Sequence, residues 1–172
     1  MNTATGSGYL ESLLREQPAL PASPLAWLNR LRAEAVERVG ALTVPTARDE
    51  EWRFTDISPL TTIPFHPVTR AAKLDAAAIE GFALREAGAR LVFVDGVFAP
   101  HLSYNRTSVT VENLATSAGR HCAVLEPHLG RHAGFADNVF AALNTAFLHD
   151  GALIIVPRDV AAAEPVHLLF VA

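Results

Sequence analysis

Cysteine is nearly missing from this chain: Cys122 stands alone. No internal disulfide can form, so the fold must hold without cross-links; a reducing compartment suits it, and the cytoplasm is the expected location. Basic excess is missing as well. The 14 Lys and Arg are outnumbered by 18 Asp and Glu, for a formal charge of −4. That balance offers no electrostatic footprint for a phosphate backbone, and nucleic acid is not an expected partner. No run approaches the roughly 18 apolar residues of a spanning helix. The opening MNTATGSGYLESLLREQP has no basic segment followed by an apolar one, so neither membrane insertion nor crossing is expected. Aromatic residues make up only 8%, which with abundant alanine favours helices over a pure sandwich in the first two thirds. Phosphate-cradling patterns are absent: there is no GxxxxGK[ST] and no GxGxxG, and the GSG at 6–8 precedes no strand-to-helix unit.

Material for a core is plentiful. The chain has 172 residues and is half hydrophobic, enough for one domain or for one domain and the opening of another. Residues 1–7 are small and polar and are expected to fray. Tyr9 to Arg15 reads as a short helix closed by Pro18 and Pro21. Ser23-Pro24 reads as a cap followed by proline at the first helical position. Leu25, Leu28, Leu31, Ala35, Val36 and Val39 then share one helical face ending at Gly40, with Arg30, Arg32, Glu34, Glu37 and Arg38 mostly on the other sides. From Thr43 to Pro67, prolines at 45, 59, 64 and 67 predict an irregular connection with at most a helical turn. Leu74 to Ala87 is modestly helical, with Gly88 as its stop.

The period then changes. LVFVDGVFAP at 91–100 predicts a hairpin about Asp95-Gly96, because both turn residues tolerate positive φ. SVTVENL at 108–114 alternates as a strand, expected to join 91–98 in one small sheet. Residues 115–134 lack periodicity and predict loop with one helical turn or two. Phe135 to His149 returns to helix, with Asp137 as cap, Phe140, Leu143 and Phe147 on one face, and Asp150-Gly151 as stop. Ala152 to Val156 and Val166 to Val171 are apolar runs bounded by Pro157 and Pro165, expected to be strands covered on both faces. Their nine-residue connection, 157 to 165, fits a hairpin and successive rungs equally well.

Candidate chemistry is sparse. His121, Cys122, His128 and His132 form the best metal-ligating cluster, the last two at the spacing that puts ligands on one helical face. Gly130 lies between them, and neither HExxH nor a paired CxxC accompanies them. Surface or turn histidines are the favoured reading; a small metal-dependent enzyme using this cluster is the alternative. Glu50 and Glu51 are adjacent, so they do not converge for acid–base work, and a solvated charge pair beside Trp52 is expected. Cys122 lacks an aligned base, since His121 beside it points elsewhere on most backbones. Asn144 is expected to be a half-buried structural amide.

Three blocks carry a resemblance: RDEEWRFTD at 48–56, LVFVDGVFAPHLS at 91–103, and FAALNTAFLHDGALIIVPRDVAAAEPVHLLFVA at 140–172. Together they resemble the SufB/SufD family of iron–sulfur cluster assembly proteins. The tryptophan-bearing block and short amino-terminal region look like the SufD branch. The resemblance implies a mainly helical amino-terminal domain, a central right-handed parallel β-helix and a carboxy-terminal helical domain. It implies a scaffold that pairs with SufB and the ATPase SufC, builds clusters for acceptor proteins and is linked to iron acquisition. In that family SufC docks on the carboxy-terminal domain, and SufD meets SufB along the β-helix and beyond. No family catalytic residue maps onto this chain.

The resulting expectation is an α+β amino-terminal fragment of a SufD-like subunit. Residues 1–150 would be a mainly helical domain with a small β-sheet, and 151–172 the first strands of a truncated parallel β-helix. No catalytic, cofactor-binding or metal residue is assigned, and the cluster is the product of the complex. The strand at 166–171, through Val166, Leu168 and Phe170, is expected to offer an apolar edge for self-association or a swapped dimer.

Overall fold

The computed structural model describes residues 3–172. In chain order the helices are α1 (Thr3–Glu16), α2 (Ala26–Ala41), α3 (Ala76–Ile79), α4 (Leu114–Ser117), α5 (Cys122–Leu125) and α6 (Val139–Ala146). The strands are β1 (Ala89–Val94), β2 (Val97–Phe98), β3 (Tyr104–Asn105), β4 (Thr110–Asn113), β5 (Ala152–Ile155) and β6 (Val166–Val171). The expected α+β class holds. Contacts divide the chain into two units that interleave in sequence. One runs to Pro67 and resumes over Ala123–Leu148; the other is Val68–Cys122 with His149–Ala172.

In the first unit, α1 begins earlier than expected, at Thr3, so residues 3–7 belong to the helix; residues 1 and 2, where fraying was also expected, lie outside the described residues. The cap of α2 differs from the Ser23-Pro24 expectation. Leu25 occupies the N-cap position without a side-chain bond, while Ser23 Oγ accepts from Leu25 N and Asn29 bonds back to both backbone groups of Ser23. Ser23 and Asn29 thus close the turn before the helix instead of its first turn. The apolar face buries Leu28, Ala35 and Val39, and Arg32 with them. Expected on an outer side, Arg32 lies four residues past Leu28, one turn along the same face. Its guanidinium is absorbed by donating to the carbonyls of Leu148 and Pro21. Leu10, Val39, Val139 and Ala142 form this unit's core.

The segment 43–67 is irregular, with short 3-10 turns at Glu50–Trp52 and Ser58–Thr62. Helix α6 is capped by Asn138, whose Oδ1 accepts from the N–H groups of Phe140 and Ala141, each at 3.0 Å. Asp137, the expected cap, instead faces Arg38 at 3.5 Å. Asn and Asp serve equally as caps, so pattern alone leaves the adjacent pair open.

In the second unit the expected helix over 74–87 shrinks to α3 and a 3-10 turn at Glu80–Phe82. Asp75 caps α3 by accepting from Ala78 N at 2.9 Å. The hairpin at Asp95-Gly96 forms as expected, with φ of 51° and 79° and Val94 opposite Val97. β1 is the centre of the larger sheet. β6 lies parallel along one of its edges, from Ala89↔Val166 to Val94↔Val171, while β2 and β3 pair antiparallel with its two ends. Both faces of β1 are covered. Val92 and Val94 meet Ile79, Ala99 and Leu102 on one face. Leu91 and Phe93 meet Val109 and Val111 on the other.

Two sheet expectations are corrected. β4 does not join the hairpin's sheet; it pairs antiparallel with β5, Thr110 opposite Ile155. β5 and β6 do not pair with each other, because each finds an earlier partner strand. Nor are the two strands covered on both faces: Ile154, Leu168 and Phe170 remain exposed.

Candidate functional site

The residues expected to carry metal chemistry fall in both units, His121 and Cys122 in the second and His128 and His132 in the first. His121 is held by Glu112, its Nε2 at 3.4 Å from a carboxylate oxygen that also takes Arg120 at 2.7 Å. Cys122 opens α5 as a free, partly buried thiol. His128 and His132 stack on one another, ring centroids 5.5 Å apart. Among the described residues no group of three or more His, Cys, Asp or Glu converges to hold a metal ion.

Glu50 and Glu51 sit on an exposed 3-10 turn. Neighbouring Trp52 is half-buried and packs its ring against Phe140 at 5.5 Å. Asn144 is exposed rather than half-buried, because the buried side of α6 is drawn by Val139, Ala142, Thr145 and Ala146. Burial pushes the Arg32 guanidinium below its ordinary value, burial pushes the Tyr9 phenol up, and hydrogen bonds from Ser58 hold the Asp56 carboxyl below the usual carboxylate range.

What the second unit offers instead is the free side of β6. Val92 turns its N–H to Ser103 Oγ and its carbonyl to Ala99 N, away from β6. By the alternation of a parallel ladder, Leu91 and Phe93 then bond toward β6, and Leu168 and Phe170 opposite them turn their own N–H and C=O outward. Asp95 N donating to Val171 O at 2.8 Å fits that phase. Phe170 lies against Phe93 at 5.1 Å and 13° between planes, and Phe93 tilts on Phe98 at 5.8 Å. An aromatic row therefore crosses the sheet from β2 to β6. It ends at a ring that is 64% exposed. Val166 begins the strand half-buried.

Sequence reasoning found this strand but missed the residue that ties its unit together. Asp150 Oδ1 accepts from Asn113 Nδ2 at 2.9 Å, Ala115 N at 3.2 Å and Gly151 N at 2.8 Å. Its Oδ2 accepts from Phe98 N at 3.4 Å. The sequence offered only a turn signal there. The donors come from β2, β4 and α4, which no local pattern brings to residue 150.

Two units that interleave in sequence, the second built on β1 with β6 as a parallel edge strand, define an α+β protein. The chain belongs to the SufBD family: the family's model for the SufBD protein N-terminal region matches residues 4–168. It is 36% identical over 161 residues to the iron-sulfur cluster assembly SufBD family protein slr0076 of Synechocystis sp.. The match covers 91% of this chain and 35% of that protein, so the chain spans about a third of its relative's length. No helix among the described residues is long and apolar enough to cross a membrane.

Proposed function

We propose that this chain is the amino-terminal region of a non-catalytic, SufD-like scaffold subunit in iron–sulfur cluster assembly. In this reading it works in the cytoplasm with a SufB-like partner and a SufC-like ATPase. The observation that carries the reading is the match of the SufBD amino-terminal region across 4–168. The Synechocystis relative, an iron-sulfur cluster assembly SufBD family protein, supports it. The cluster is then cargo of the complex, with no resident cofactor on these residues. In this reading strands β5 and β6 are the first strands of the parallel β-helix implied by the family resemblance. The parallel pairing of β6 on β1 supports that reading, although β5 pairs antiparallel.

The test is co-purification of the full-length protein carrying this region with SufB-like and SufC-like subunits. Retention of both is expected, and failure to bind either sinks the scaffold reading. The purified chain should also show no ATP turnover. Sustained hydrolysis that follows the chain through purification would count against it.

The same reading places self-association of the isolated chain at the open edge of β6, through Val166, Leu168 and Phe170. Support comes from the outward backbone groups and from Leu168 and Phe170, 38% and 64% exposed. Such an edge is a template for another strand. Light scattering should show mass rising with concentration, and Phe170→Asp should hold the chain monomeric. A strict monomer at high concentration with the strand ordered would refute this assignment.

A further inference from the structure

The pair His128 and His132 carries an inference that is independent of the scaffold reading. His128 Nδ1 and His132 Nε2 stand 3.3 Å apart. The distance, at which one ring proton can bridge the two nitrogens, lies at the long end for a hydrogen bond from nitrogen, about 2.7–3.2 Å. It matches the separation of two nitrogens bound to one tetrahedral ion, about 3.3 Å when each metal–nitrogen bond is about 2.0–2.1 Å. Both rings are exposed, and their planes lie 19° apart.

The turn that presents them is built rather than loose. Leu125 O accepts from His128 N at 3.0 Å and from Leu129 N at 2.8 Å, and His128 O accepts from Arg131 N at 3.2 Å. Gly130 between them has φ of 77°. A Cβ at Gly130 would stand 2.8 Å from Leu31 Cδ1, so the turn is seated directly on α2.

We propose that His128 and His132 chelate one exchangeable divalent transition-metal ion, of the class that favours imidazole nitrogen: Cu²⁺, Ni²⁺ or Zn²⁺. Among the described residues no third ligand joins them, so water fills the remaining positions and the ion stays labile. Affinity should follow the ordinary order for nitrogen sites, Cu²⁺ above Ni²⁺ and Zn²⁺.

The experiment is calorimetric titration of the tag-free chain with Ni²⁺, alongside His128→Ala, His132→Ala and the double variant, with His66→Ala as a control. Paramagnetic broadening of histidine ring signals is followed in parallel. Both single variants should lose affinity about a hundredfold, because each breaks the chelate and leaves one ligand acting alone. The double variant should be little worse than either, the control unchanged, and broadening greatest at rings 128 and 132. Exposed positions leave the fold intact, which melting curves verify. Absence of saturable binding, loss in only one single variant, or broadening centred on other histidines would each overturn the proposal.

Discussion

Asn113, at the end of β4, donates from Nδ2 to Oδ1 of Asp150, two residues before β5, across 2.9 Å. The bond closes the sheet that these strands form, and Asn113 is only 7% exposed. One carboxylate thus satisfies donors from three separate stretches of chain. Removing it strands them together.

Asp150→Ala should destabilise the chain by about 1–3 kcal/mol, since part-buried donors from several stretches lose a charged acceptor together. Asp150→Asn should recover part of that by keeping one acceptor oxygen. Urea unfolding with an unchanged m-value checks both. A cost below that of an ordinary surface substitution for the alanine variant would show that the hub is not structural.

Arg32→Met keeps most of the apolar stem while leaving the carbonyls of Leu148 and Pro21 without their donor. A loss of about 1–3 kcal/mol is expected. Arg32→Lys should restore little, because a single ammonium does not reproduce the forked donors of a guanidinium. Thermal melts of the two variants should fall close together.

Gly130→Ala should be destabilising on two counts. The backbone is in the left-handed region, where an added Cβ costs roughly 1 kcal/mol, and the methyl would press on Leu31. Shortening the neighbour in Gly130→Ala/Leu31→Ala should remove the steric share and leave the backbone share. A double-mutant cycle in denaturant measures that coupling.

Asp56 provides a pH signature. Its Oδ1 accepts from Ser58 N at 2.9 Å, and bonds from the backbone and side chain of Ser58 depress its folded pKa. A depressed carboxyl contributes stability above its unfolded pKa of about 3.9, and loses it as pH falls through the lower folded value. Carbon-detected titration should place Asp56 below the ordinary aspartate value. Ser58→Ala should raise it part of the way, since the backbone donor remains.

Much of the fold was legible locally. The Asp95-Gly96 turn demanded residues that accept positive φ, and the face Leu28, Ala35, Val39 followed from helical spacing alone. Caps were less legible, because Asp137 and Asn138 stand side by side with similar capping ability, and only the approach of Arg38 separates them. The candidate contact strand could be seen as an apolar run, but not which of its edges was free. The histidine pair showed its four-residue spacing. Its distance came from a turn seated on Leu31.

The sequence by itself determined where strands and helices can form, because periodicity, turn residues and proline act over a few neighbouring positions. It also carried the three blocks by which the family was recognisable. Only the tertiary structure decided that β6 returns to β1, that β5 turns to β4, and that Arg32 and Asp150 become hubs. Strands more than thirty residues apart pair through shared burial and ladder geometry, and no local pattern records which apolar run will meet which.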